Sequence, residues 1–200
     1  MGTPLTPLGR ISFPYVFEMR EMKSKDQNGN PKYRHECCLI FDPAAQQDPK
    51  FKHMEQLIET TAKERFGGKI PKKFNHPIKK CEDIGAYCVD GDEDNGVLPE
   101  FKDHVVVRFD TKDACQVVDR HRKKITDKSI VYAGSYGIMA YNCYAYDNET
   151  KGVNCSLGAL LWVRDGDPLG RRAVDPDAAF ADVEFDDEPD VDDDDDDGVF

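Results

Sequence analysis

A chain of 200 residues carrying 27 basic and 39 acidic side chains has a formal net charge of −12, a balance that on its face excludes a polyanionic partner. No run is apolar enough to cross a bilayer, and the first nine residues lack the basic and apolar regions of a secretory leader, so a cytoplasmic protein with no membrane partner is expected. Seven cysteines, an odd number with an adjacent pair at Cys37 and Cys38, read as reduced thiols and not as a disulfide framework. The length admits one domain of about 170 to 180 residues, enough for a core without staples.

Residues 1–9 form a Pro- and Thr-containing arm. From Arg10 the chain alternates, with Ile11, Phe13, Tyr15, Phe17 and Met19 expected on one face and Arg10, Ser12, Glu18 and Arg20 on the other, the period of a half-buried strand. Asn28-Gly29 marks a hairpin turn. The return strand alternates again, setting Tyr33, Cys37, Leu39 and Phe41 against Lys32, Arg34 and Glu36. Arg20, Lys23, Lys25, Lys32 and Arg34 thus gather on one hairpin, either as ordinary solvated residues or as a binding face.

Asp48-Pro49 opens a helix, with Asp48 as its cap and proline at the first turn. Its apolar side, Phe51, Met54, Leu57, Ile58 and Ala62, is a core contact, and Gly67-Gly68 stop it. A basic, Pro-containing loop follows at Lys69, Lys72 and Lys73, with Lys79 and Lys80 shortly after, a pattern suited to a nucleic-acid backbone and equally to solvent. The acidic segment 90–96 resembles a calcium loop but fails its register: the sixth position is Asn95 and the twelfth Phe101, where glycine and glutamate are required. His76, Cys81, Cys88 and His104 lack the C-x₂-C spacing of a zinc site, and no metal or cofactor is expected.

Strands resume at 103–110 and, briefly, at 116–120. The run 129–146 then places Tyr132, Tyr136, Tyr144 and Tyr146 on one face, with Gly134 and Gly137 able to form a bulge or a sharp bend. A last strand alternates through Val153, Cys155, Leu157, Ala159, Leu161 and Val163. The result is a mainly β domain of about five or more strands with one inserted helix and long loops. Rings of this kind stack on unpaired bases, although a single tyrosine is as easily a core residue with its hydroxyl at the surface.

The chain ends in a polyanion. Twelve acidic residues and no basic one lie between Asp182 and Phe200, among them Asp192, Asp193, Asp194, Asp195, Asp196 and Asp197, before Gly198-Val199-Phe200. Such a stretch is expected to be disordered, because it has too little apolar surface to offset ordering entropy. Setting aside these residues with Asp175 and Asp177 leaves residues 1–174 with 27 basic and 25 acidic side chains, a net of +2. The body is therefore mildly basic, and charge asymmetry of this kind points to nucleic acid. The tail can then act as a tethered competitor for the site, and Phe200 behind its acidic leader reads either as the docking aromatic of a short linear motif or as the end of a plain solubility tail.

No G-x-x-x-x-G-K-[ST], H-E-x-x-H or G-x-S-x-G occurs, so an enzyme is not expected. The segments 131–136 (V-Y-A-G-S-Y), 151–153 (K-G-V) and 162–170 (W-V-R-D-G-D-P-L-G) resemble a phage-encoded family of single-stranded DNA-binding proteins, similar in plan to the gene 2.5 protein of T7-like phages. The resemblance implies a five-stranded OB-type barrel over residues 10–170 and an acidic tail over 171–200, working in the cytoplasm of an infected bacterium. It implies a chain that coats single-stranded DNA in replication and recombination, while Asp192 to Asp197 and Phe200 recruit phage or host replication proteins. Bacterial relatives carry proline before the terminal Phe where this chain has Val199. The expected DNA contacts are Arg20, Lys32, Arg34, Lys72, Lys73, Lys79, Tyr132, Tyr136 and Tyr144. Self-association is left open. Two alternatives stand beside this reading: an adaptor or DNA mimic whose acidic tail acts on a host protein, and a metal-dependent nuclease or recombinase.

Overall fold

A computed structural model describes residues 2–25, 28–84, 101–169 and Phe180; the 90–96 loop, Cys88 and the acidic tail lie outside the described residues. Two long hairpins form the frame. β1 (Gly9–Lys25) returns as β2 (Pro31–Phe41), and β7 (Tyr136–Asp147) returns as β8 (Lys151–Arg164). Between them, β5 (Val105–Thr111) pairs antiparallel with β2 and parallel with β8 through Phe109↔Cys155 and Asp110↔Ser156. β1 closes on β7 at Gly9↔Gly137 and Arg10↔Tyr136. The order β1-β2-β5-β8-β7 is thus a closed five-strand ring, the OB-type barrel expected from the sequence.

Short pieces extend the ring. β3 (Phe74–Asn75) and β6 (Gln116–Val118) join β8 in parallel, and β4 (Ile78–Lys80) joins β5. The N-terminal arm adds to β7: Thr6 N–H donates to the Met139 carbonyl (2.9 Å), Met139 N–H to Thr6 Oγ1 (2.9 Å) and Tyr141 N–H to the Pro4 carbonyl (3.1 Å).

α1 (Pro49–Arg65) begins as its sequence dictates, with the Asp48 carboxylate accepting from Lys50 N–H and supplying one of the orphan-donor partners a helix start needs. It ends with Gly67 at φ +70° and Gly68 N–H donating to the Lys63 carbonyl (2.8 Å), the glycine-dependent termination that spares a side chain the left-handed region. Its buried stripe, Phe51, Met54, Ile58 and Ala62, packs on β7 and β8. There it joins Ile11, Val16, Leu39, Phe41, Val107, Phe109, Met139, Tyr141 and Leu160 in the main core.

The strand faces depart from simple alternation in two places, each at a bulge. In β1 the register slips between Ser12 and Tyr15, where Phe13 takes φ +49° and Pro14 cannot donate to the ladder. The slip separates residues expected to share one face: Ile11 is buried in the core, Phe13 packs against a second cluster and Tyr15 faces out, while Val16, outside the expected set, takes an inner place. In β8 the register slips opposite Ala140/Tyr141, past Gly158. Val153, Cys155 and Leu157 point inward before it and Leu160 after it, so Ala159 and Leu161 do not continue the inner face. A single extra residue reverses every side chain beyond it.

The 129–146 run is likewise not one strand. β7 starts at Tyr136, and a short 3₁₀ turn (Lys128–Ile130) with a bend at Gly134 precedes it. The second half of β2, from His35 on, is buried on both faces, because the cluster of Cys38, Ile40, Cys81, Phe101 and Val106 covers its outer side. Cys37, Cys38, Cys115, Cys143 and Cys155 are free thiols. Cys81, fully buried just after β4, is disulfide-bonded, which corrects the expectation of reduced thiols throughout.

Candidate nucleic-acid interface

The outer face of β1, β2 and β5 concentrates charge. Register sets Arg20 opposite Arg34, Tyr15 opposite Glu36, Glu36 opposite Asp110 and Cys38 opposite Arg108. Paired positions of neighbouring strands point to one side of a sheet, so these groups share a surface. Arg34 Nη1 lies 2.8 Å from Asp110 Oδ1, Arg108 Nη2 3.8 Å from Asp110 Oδ2, and Arg20 Nη1 3.5 Å from Glu36 Oε1. The arginines keep 24%, 25% and 41% of their side-chain surface for Arg20, Arg34 and Arg108, whereas Glu36 and Asp110 keep only 1% and 3%. Cations therefore form the surface and carboxylates the floor.

Aromatic rings flank these cations. The Arg20 guanidinium lies over the Tyr15 ring, 5.1 Å from its centroid, a cation–π arrangement. Asn154 Nδ2 donates to Asp110 Oδ2 (2.7 Å) and to Tyr144 Oη (2.9 Å), tying the β7–β8 hairpin to the arginine cluster. Tyr15 and Tyr144 are each 40% exposed. On the β4 side the surface dips into a cavity of about 170 Å³ whose lining includes Cys38, His76, Lys79, Arg108 and Asn154. Burial lowers the His76 pKa, because a low-polarity environment disfavours the imidazolium.

The residues singled out in the sequence separate into three groups. Arg20, Lys32, Arg34, Lys79 and Tyr144 come together on or beside this face: Lys32 shares the outward side of β2 with Arg34, and Lys79 lines the cavity. Lys72 and Lys73 are exposed in the loop before β3, which leads to the start of β8 through Phe74↔Lys151. Tyr132 and Tyr136 lie at the other end of β7 with internal partners. The Tyr132 hydroxyl donates to the Gly166 carbonyl (2.9 Å), accepts from Gly166 N–H (3.2 Å) and sits 3.1 Å from Asp165 Oδ1. The Arg164 guanidinium lies over the Tyr136 ring at 3.6 Å. Phe74, next to Lys73 in sequence, packs on the core and meets Phe66 edge to face at 6.4 Å.

Sequence reasoning passed over Tyr15, Glu36, Arg108, Asp110 and Asn154 as members of this cluster. Pro14 inside an alternating run was the available sign that Tyr15 changes face. Nothing local marks Asp110 as the partner of Arg34, 76 residues away. Among the described residues, no group of three or more His, Cys, Asp or Glu side chains is placed to hold a metal ion, and no helix is long and apolar enough to cross a membrane.

Comparison with known proteins bears on the family and the fold. The family model described as "Enterobacter phage Enc34, ssDNA-binding protein" matches residues 5–195. A relative from Acyrthosiphon pisum secondary endosymbiont phage 1, putative protein p50, is 25% identical over 183 residues, 91% of this chain and 94% of its own. Among solved structures, the single-stranded DNA-binding protein of bacteriophage Enc34 in complex with ssDNA aligns at a TM-score of 0.62 and 18% identity, covering 83% of this chain and 88% of that one. The single-stranded DNA-binding protein gp2.5 of bacteriophage T7 aligns at 0.51 and 16%, covering 90% and 93%. These likenesses establish a shared fold. With nearly its whole length matched by the family model, the chain belongs to the family of the Enterobacter phage Enc34 ssDNA-binding protein.

Proposed function

We propose that this protein binds single-stranded DNA without sequence preference across the outer face of β1, β2 and β5, in the replication and recombination of a phage. The family is one of binding proteins, and the chain is not an enzyme. The observation that carries the site is the alignment of Arg20, Arg34 and Arg108 on one outward face of a closed five-strand barrel, between the exposed rings of Tyr15 and Tyr144. On OB-type barrels this middle-strand face and the two hairpin loops beside it take oligonucleotides. Arginines and lysines there follow the phosphates while rings stack on bases of any sequence. Lys32, Lys72, Lys73 and Lys79 extend the track, and Tyr132 and Tyr136 hold the barrel end from which the tail departs.

The acidic tail completes the reading as a competitor. Asp192 to Asp197 occupy the cationic face when DNA is absent, and Phe200 engages replication proteins when DNA displaces the tail. A polarisation titration of labelled oligo-dT and matched duplex tests this, using the full chain and a form ending at Ala181. The four contacts from Arg20, Arg34, Arg108 and Lys79 alone give a log–log salt slope of about −2.8, or roughly 50-fold weaker binding between 50 and 200 mM salt, and each further lysine of the track that meets a phosphate steepens it by about 0.7. The expected result is single-strand binding with that salt dependence, tightened by truncation. Absence of binding by both forms would overturn the proposal, and unchanged affinity after truncation would remove the competitor role.

A further inference from the structure

Glu36 is an anomaly in a site for a polyanion. Its carboxylate is 1% exposed on the middle strand, directly beneath the cationic surface. Among the described residues, neither of its oxygens has a hydrogen-bond partner, although a buried carboxylate normally collects two or more donors to offset its desolvation. Asp110, its cross-strand neighbour, is fully provided for: Arg34 and Asn154 hold it at 2.8 and 2.7 Å, and Arg108 approaches at 3.8 Å. Among the described residues, Glu36 has only the longer Arg20 pair at 3.5 Å. The two carboxylates are thus not equivalent. Asp110 anchors its arginine, while Glu36 holds Arg20 loosely, at a distance from which a guanidinium can turn outward.

We propose that Glu36 is an internal competitor for the DNA backbone, holding Arg20 in the free protein and releasing it to a phosphate when single-stranded DNA binds. The inference rests on the DNA-binding reading above and names the residue that sets its affinity. Arg20 is suited to the exchange, because it is part-exposed and its guanidinium already lies over Tyr15, a ring that supports the cation in either position. Once Arg20 leaves, Glu36 faces Tyr15 on β1, Arg34 and Cys38 on β2, and Arg108 and Asp110 on β5. Arg34 and Arg108 remain engaged with Asp110. A buried carboxylate that loses its cation neutralises by taking up a proton. Burial already raises the Glu36 pKa, with Arg20 the foremost opposing influence and Arg108 adding to it. Removing Arg20 raises it further, so DNA binding takes up a proton and affinity falls as pH rises through the free-protein pKa of Glu36.

Glu36→Gln in the full chain tests the exchange by a gain and not a loss. The variant keeps the side-chain shape and frees Arg20. Arg20 already meets a phosphate in the parent complex, so the variant removes only the cost of breaking the Glu36 pair: oligo-dT binds up to about fivefold tighter at 0.1 M salt, the worth of one partly exposed ion pair, and the difference shrinks toward 1 M as salt weakens that pair. The gain disappears in an Arg20→Gln background, as a double-mutant cycle requires. Calorimetry between pH 5 and 7, in two buffers of different ionisation enthalpy, gives a proton uptake for the parent that is reduced in both Glu36→Gln and Arg20→Gln. All three proteins retain all five histidines, so the difference in proton uptake between them reports the substituted pair. Arg20→Gln supplies the proton readout by itself if Glu36→Gln does not fold. Unchanged or weaker binding by folded Glu36→Gln, or equal proton uptake in parent and Arg20→Gln, overturns this inference while leaving DNA binding in place. Absence of oligo-dT binding by the parent overturns both.

Discussion

Tyr144 separates a ring that stacks from a hydroxyl that merely holds its neighbours. The side chain is 40% exposed at the β7 end of the arginine face, and its oxygen accepts from Asn154, which also donates to Asp110, the anchor of Arg34. Tyr144→Ala removes both features, whereas Tyr144→Phe removes only the hydroxyl. One lost stack is worth about 1–3 kcal/mol, or roughly 5- to 150-fold in affinity. In Tyr144→Phe, Asn154 retains its 2.7 Å bond to Asp110, so the cluster stays assembled and binding is expected within about threefold of the parent, less than one neutral hydrogen bond at the upper end of its usual range. The assay is polarisation with labelled oligo-dT at fixed salt, accompanied by thermal melts. Because the ring lies at the surface, neither variant is expected to shift Tm appreciably. Full affinity in Tyr144→Ala would take the ring off the DNA path. Equal losses in both variants would refute stacking in a different way, placing the effect in the hydroxyl and the Asn154–Asp110 arrangement behind it.

Two further outcomes probe the periphery. The double variant Lys72→Gln/Lys73→Gln removes two exposed cations from the loop before β3 and should flatten the salt slope by about 1.4 if both follow phosphates; an unchanged slope would confine the interface to the barrel face. Gly134→Ala should destabilise the fold, because Gly134 sits at φ +112° and a Cβ there would meet Leu169 N and Pro168 Cα at 2.8 Å. Strain of this kind is worth about 1–3 kcal/mol, and each kcal/mol lowers Tm by about 2–4 °C in a chain of this size; an unaltered melting temperature would show that the 167–169 strap yields freely.

What was legible in the sequence was what near neighbours decide. The α1 cap at Asp48-Pro49, its stop at Gly67-Gly68 and the turn at Asn28-Gly29 depend on interactions within a few residues, and the structure places α1 and the β1–β2 hairpin where those signals lie. The concentration of negative charge in residues 182–200 needed only counting. The basic hairpin was visible for the same reason, since Arg20, Lys32 and Arg34 flank one turn.

Tertiary structure decided which side each residue serves. The slip at Phe13-Pro14 turned Tyr15 outward to support Arg20, and the slip at Gly158 reversed the inner face of β8. Neither reversal follows from composition, because a period of two cannot record an inserted residue without knowledge of the opposing strand. The parallel meeting of β5 with β8 brought Asp110 beside Asn154, and the pairing of β2 with β5 set Glu36 and Asp110 under the arginines. Cations read one by one along the chain therefore appeared free, whereas Arg20, Arg34 and Arg108 are held by two buried carboxylates. Long-range strand pairing determines that arrangement, and with it how much of the positive charge is available to a phosphate.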